Sequence, residues 1–237
     1  MSISSNLERI RNEIADACAR AHRSPSTVAL MAVSKMHPPE AILEAHAAGQ
    51  RLFGENRVQE FAAKLPQLSG PLALGPWPSF HLIGPLQNNK TSKAAELFHA
   101  VDTLDSFKTA ERLDRAAAAL NKTLPVLIEV KLSPEETKHG VSPSQLPELI
   151  AQLAPLTHLV VRGLMTVPPW SDATPEGAET ARPYFAHLRR LRDELQPTHP
   201  TLTELSMGMT NDFRVAIEEG STTVRIGTAI FGKRVSP

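Results

Sequence analysis

Cysteine is almost missing from this chain of 237 residues: Cys18 is the single one, which excludes an internal disulfide and a four-cysteine zinc site. It falls in a helical pattern, where a buried thiol acts as a small hydrophobe, and no metal is expected. Net charge is missing as well. The 25 basic residues balance 25 acidic ones, so no global field gathers a polyanion and nucleic acid is not an expected partner. No apolar run reaches membrane-spanning length, and the opening MSISSNLERIRNEIADACARAH mixes acids into a helical period instead of setting a basic segment before an apolar core. A cytoplasmic location is expected. There is no low-complexity tract, no repeat of solenoid period, and no Gly-x-Gly spacing for a nucleotide fingerprint. What remains is an ordinary globular balance, 41% hydrophobic and 21% charged, in a length that suits one large α/β domain over residues 1–237.

Ser5 followed by Glu8 fits a capping box, and Leu7, Ile10, Ile14 and Cys18 then recur at helical spacing. A helix opens the chain. After it, short apolar runs at 28–34, 51–55, 79–84, 99–104, 125–130, 159–165, 201–207 and 222–227 alternate with helical segments at 39–48, 56–67, 88–97, 106–121, 142–153, 176–195 and 210–219. Only the last strand lacks a clear helical partner. Strict alternation demands parallel pairing, and eight units is the number that closes a (β/α)8 barrel. An open doubly wound sheet is the alternative. The 20 prolines cluster outside these elements, as in PLALGPWPS at 71–79 and VPPWSDATPEG at 167–177, which read as loops.

In such a barrel the chemistry gathers where strands end. Two lysines, Lys35 and Lys131, follow apolar strands; a desolvated amine loses its proton more readily, and its neutral form condenses with an aldehyde. In SMGMTNDF, 206–213, Ser206 offers a hydroxyl, Gly208 a close backbone approach, and Thr210 or Asn211 a helix start; Gly227 and Thr228 repeat the small-plus-hydroxyl pattern one strand later. Strands 7 and 8 are a frequent phosphate site in barrels, although each segment alone also reads as an ordinary turn. Alternation along TTVRIG turns Val224 and Ile226 to one face and Arg225 to the other. If the apolar pair faces the helices, the guanidinium points inward and needs an acceptor from a ligand or from the protein, with Glu129 and Glu204 the protein candidates. In a closed barrel strand 1 lies beside strand 8, so a small phosphorylated ligand reaches Lys35 more easily than Lys131, whose solvated form is the simpler reading.

AVSK at 32–35, FGENRVQE at 53–60, HLIGPLQNNK at 81–90, EETKHG at 135–140, GLMT at 163–166, SMGMTNDF and VRIGTAIFGKR at 224–234 run in order over nearly the whole chain. Together they resemble the pyridoxal phosphate homeostasis proteins, the YggS/PROSC family. The resemblance implies a single barrel like the N-terminal domain of alanine racemase, with pyridoxal 5′-phosphate (PLP) held covalently as an internal aldimine on Lys35. Ser206, Gly227 and Thr228 match phosphate contacts, Met207 and Gly208 the adjoining backbone, Arg225 the partner of the pyridine nitrogen, and Asn56, His81 and Met165 pocket-lining positions. In that place Arg225, always protonated, would donate to the nitrogen and keep it from carrying its own proton, so the ring would be a poor electron sink and reversible imine formation the favoured activity. Lys131 departs from the small polar residue expected there, Met36 and His37 vary the segment behind Lys35, and Thr210 replaces a common serine; Lys138 in EETKHG reads as an exposed loop lysine.

The implied role is a PLP carrier and buffer that delivers the cofactor to apo-enzymes through transient contacts, as a monomer or weak dimer and without robust turnover. A weak amino-acid racemase is the alternative. Related racemases take a catalytic tyrosine from a second domain, whereas the one tyrosine here, Tyr184, falls in the helix after strand 6. A Schiff-base aldolase without PLP, acting on a phosphorylated sugar, is a third reading.

Overall fold

The computed structural model describes residues 2–72, 76–135 and 139–232. Eight parallel strands close on themselves in sequence order: β1 (Ala29–Val33), β2 (Leu52–Glu55), β3 (Ser79–Leu82), β4 (Ala100–Leu104), β5 (Leu124–Glu129), β6 (Leu159–Met165), β7 (Glu204–Ser206) and β8 (Thr223–Ile226). Seven lie inside their predicted runs, and β5 begins one residue before its run of 125–130, at Leu124. The expected (β/α)8 barrel is therefore the observed one, and the open sheet is excluded because β8 pairs with β1, Ala29 opposite Thr223 through Ala32 opposite Ile226.

The helices are α1 (Ile3–Arg20), α2 (Pro39–Ala47), α3 (Val58–Leu72), α4 (Thr91–Leu97), α5 (Phe107–Ala119), α6 (Leu146–Leu153), α7 (Pro175–Glu179), α8 (Arg182–Leu195), α9 (Phe213–Glu218) and α10 (Thr228–Phe231). Three differ from expectation. The cap of α1 is Ser2, whose hydroxyl accepts the Ser5 amide, so Ser5 is the third helical residue and not the cap. α3 runs on through Pro66 and Pro71; both are exposed, so the carbonyls they leave without a donor open to water and not to the core. The segment 176–195 breaks into α7 and α8. Elsewhere proline opens helices, in the first turn of α2, α6, α7 and α8, where its missing N–H costs nothing.

Strand alternation sorts the side chains. Phe53, Phe80, Leu82, Val126, Ile128, Leu205, Val224 and Ile226 are buried in the core between sheet and helices, each contributing about 1.5–3 kcal/mol through burial. Phe53 and Phe61 both pack on Phe80, with ring centroids 5.4 and 4.5 Å away, which locks α3 onto β2 and β3. With four residues, α10 is too short to cover β8. α1 fills that place, packing on α2, α9 and α10 through Leu7, Ile10, Ile14, Ala17 and Cys18, with the Asn6 amide donating to the Ile230 carbonyl at 2.8 Å.

At β6 the register with β5 shifts between Val126 and Leu127, and Gly163 lets the next strand come close: a Cβ there would stand 1.9 Å from the Glu204 carbonyl oxygen. Gly163→Ala is therefore expected to lower stability by about 3 kcal/mol or more, since backbone cannot yield as a side chain can. Gly70→Ala, on the exposed side of α3 with nothing within 4 Å of its Cβ, should be neutral or stabilising by up to about 1 kcal/mol. Urea denaturation of the two variants checks the contrast.

Candidate functional site

A cavity of about 640 Å³ opens at the C-terminal end of the barrel, within the usual size of a small-molecule site. Lys35, Asn56, Arg225, Gly227 and Thr228 all line it. Closure of the barrel explains the meeting: β1 delivers Lys35 two residues beyond its end, and the neighbouring β8 delivers the other three apart from Asn56, which follows β2. Lys35 is half-buried and Thr228 exposed.

Arg225 is 4% exposed. It donates from Nη1 to the Ser206 hydroxyl and from Nη2 to the Thr166 carbonyl, both at 2.8 Å. Burial pulls its guanidinium below the ordinary value, while the carboxylates of Asp102, Asp212 and Glu129 push back. Of the two protein acceptors anticipated for it, Glu129 is a nearby charge that also lines the cavity, whereas Glu204 pairs with Arg162 at 3.2 Å.

The other expected residues lie elsewhere. Ser206 is fully buried, and its hydroxyl already accepts from Arg225. Met207 belongs to the apolar core. Gly208 has a φ of +95° and a Cβ on it would meet Ala216 at 2.6 Å, so its glycine serves the turn and the packing. Met165 is buried beside Ser206 in the strand ladder. None of these four is among the residues that line the cavity; Met209, Thr210 and Asn211 line it in their stead. Lys131 is half-buried, bonds to Val141 through its amide, and does not line the cavity. Lys138 lies outside the described residues. Tyr184 is on α8 and does not line the cavity.

His81 goes to the opposite end. It is the third residue of β3 and lines a second cavity of about 480 Å³ with His99, Asp102, Arg162 and Glu204. Its Nδ1 is 3.1 Å from Asp102 Oδ1. Burial works against the imidazolium, but Asp102 outweighs it and lifts His81 above the ordinary histidine value. Among the described residues no three His, Cys, Asp or Glu are placed to hold a metal ion, and no helix is long and apolar enough to cross a membrane.

Sequence reasoning missed two features. Asp212 lines the cavity and ties two loops together: its carboxylate accepts from the Met209 amide at 2.6 Å and the Ser171 hydroxyl at 3.4 Å, while Asn211 donates to the Ser171 carbonyl at 2.8 Å. Burial pushes its carboxyl up. The second is Lys64, 7% exposed, whose Nζ reaches Ser34 O at 2.9 Å and Glu55 Oε1 and Glu60 Oε1 at 2.8 Å. Its signal was readable, since Lys64 falls between Phe61 and Leu68 on the apolar stripe of α3.

With that geometry in view, relatives can be compared. The alanine racemase N-terminal domain family matches residues 5–235. The pyridoxal phosphate homeostasis protein of Vibrio cholerae is 45% identical over 98% of this chain and 97% of its own, and that of Aquifex aeolicus is 43% identical over 99% of both. The chain belongs to the pyridoxal phosphate homeostasis family. PipY of Synechococcus elongatus, solved with and without PLP, superposes with a TM-score of 0.84 at 41% identity over 98% of this chain and 100% of its own. An alanine racemase of Clostridium difficile shares the fold at a TM-score of 0.69 and 14% identity, covering 99% of this chain and 57% of its own.

The His81–Asp102 pair carries a pH signature. A raised histidine pKa contributes stability that is complete below the unfolded value, about 6.5, and is lost as pH rises through the folded one. Denaturant unfolding should therefore show the native protein losing ground to His81→Gln as pH climbs from about 6.5, and the imidazole NMR titration should move down in Asp102→Asn.

Proposed function

We propose that this protein holds PLP as a Schiff base on Lys35 and buffers it for delivery to apo-enzymes. The observation that carries the proposal is the placing of an amine, Lys35, and a buried guanidinium, Arg225, on one small cavity. The names of its relatives and the PLP-bound PipY structure support it.

The donor set fits the cofactor. Arg225 supplies a permanently charged donor for a ring nitrogen, already fixed by Ser206 and Thr166. Gly227 and Thr228 stand at the start of α10, small enough and polar enough to receive an anionic tail. Asn56 borders the same space. Bound PLP supplies an aldehyde. In its neutral form the Lys35 amine would be the group to condense with that aldehyde, giving up its two hydrogens with the aldehyde oxygen as water. Returning the water reverses the step without oxidant or reductant, which is what a carrier needs. Ser206 and Gly208 serve this site from behind, the Ser206 hydroxyl and the Gly208 carbonyl both accepting from Arg225, at 2.8 and 2.9 Å, while Met165 and Met207 are buried beside them and His81 lines the far cavity.

Racemisation needs an acid or base on each face of the substrate, and Tyr184 lies on α8 away from the cavity lining, which favours the carrier. Borohydride treatment of the PLP-loaded protein followed by peptide mapping should place the reduced adduct on Lys35. An adduct chiefly on Lys131, or a protein without PLP, would overturn the assignment, the latter in favour of an aldolase. Incubated with L-alanine or L-serine in D2O, the loaded protein should show no robust inversion or α-proton exchange; rapid turnover would favour the racemase.

A further inference from the structure

We propose that Lys64 is a positioning residue for Lys35: with Glu55 and Glu60 it clamps both peptide units that flank Lys35 and so sets where the Lys35 amine reaches. The inference rests on the reading of Lys35 as the amine that captures PLP.

Lys35 sits at the corner of a tight turn, closed by the His37 amide donating to the Ser34 carbonyl at 3.1 Å. The next residue, Met36, has a φ of +60°, a left-handed conformation that turns of this kind usually give to glycine or asparagine. Left to itself such a turn relaxes, because a methionine gains by leaving that region. Strained backbone persists where its surroundings over-determine it.

Here the surroundings are an ion cluster behind the turn. The peptide unit before Lys35 is gripped at the Ser34 carbonyl, which accepts from Lys64 Nζ at 2.9 Å. The unit after it is gripped at the Met36 amide, which donates to Glu60 Oε1. The same Glu60 oxygen lies 2.8 Å from Lys64, and so does Glu55 Oε1. Glu55 also accepts from the Ser34 hydroxyl at 2.8 Å, while the Ser34 amide donates to the Gly54 carbonyl at 3.0 Å.

Lys64 is thus the shared centre through which all these contacts are joined. It is buried, as is Glu55, and charges withdrawn from water hold their geometry tightly because any loosening leaves one of them uncompensated. Its Nζ is committed to three acceptors, which suits a strut and not a second nucleophile. The cluster is anchored on α3, and α3 is locked by Phe61 to the core, so the position of Lys35 is referred to a rigid element and not to its own turn.

The test uses the full chain, stripped of PLP and reloaded, and follows the rate of imine formation by absorbance, the pH midpoint of the chromophore, PLP content after alkaline release, and the borohydride adduct by peptide mapping. Lys64→Met is expected to bind PLP yet form the link about 10- to 100-fold more slowly, the scale on which a misplacement of about 1 Å acts, with a shifted pH midpoint and a smaller trapped fraction on Lys35. Glu60→Ala, which releases only the Met36 amide, should slow it in the same sense by a smaller factor. Leu68→Ala, buried on the same helix but outside the clamp, should lower the Tm and leave rate and midpoint as in the native protein. Native rates in both Lys64→Met and Glu60→Ala, or equal slowing in Leu68→Ala, overturn the proposal. If Lys64→Met does not fold, Glu60→Ala decides alone. A native protein lacking the Lys35 adduct refutes instead the underlying reading of Lys35.

Discussion

The ladder between β1 and β8 is the constraint on which the site depends. Four residue pairs, from Ala29 with Thr223 to Ala32 with Ile226, join the first strand to the last. Parallel strands cannot pair this way through a local turn; the six intervening strands must take their places first, each with its helix outside. Only then do Lys35, just past β1, and Arg225, within β8, face one space. Lys35 and Arg225 are therefore neighbours by closure, not by sequence, and any opening of the barrel would separate them.

The interior that closure creates is more polar than the branched apolar filling usual for such barrels. Arg225, Asp102, Glu129 and Ser206 are all buried, and His81 joins them from below. Each charge has partners: the guanidinium a hydroxyl and a carbonyl, with acids nearby. The Lys64 cluster repeats the principle outside the barrel wall. Breaking a buried ion pair costs about 3–5 kcal/mol, often more than the pair adds over an apolar replacement. Such arrangements are explained by what they hold in place, here the turn carrying Lys35 and the donor facing the cavity.

Much of this was legible without coordinates. The alternation of apolar runs and helical periods located every strand, because residue periodicity is a local property. The inward turn of Arg225 followed from the two-residue repeat of β8, and the meeting of Lys35 with Gly227 and Thr228 followed from the adjacency of first and last strands. The cap of α1 was displaced by one turn because Ser2 and Ser5 both offer a hydroxyl and only packing chooses between them. His81 was misplaced for a different reason. It follows the same two-residue repeat as a cavity residue should and is third in its four-residue strand, as Arg225 is in β8, yet it lines the far cavity and Arg225 the mouth, because strands of a closed barrel are staggered along its axis.

Sequence by itself determined the eight-unit order of strands and helices and the residues able to supply an amine and a fixed cation, since these depend on residue type and short-range order; it left barrel and open sheet both standing, and the β1–β8 pairing chose between them. Tertiary structure alone decided depth along the barrel axis and the pairing of polar groups: that His81 belongs to the far cavity, that the Ser206 hydroxyl is occupied by Arg225, and that Lys64, thirty residues of chain beyond Ser34, grips its carbonyl. The physical reason is that a side chain's direction repeats along its own strand or helix, whereas its partner is set by where separate elements are brought to rest against each other.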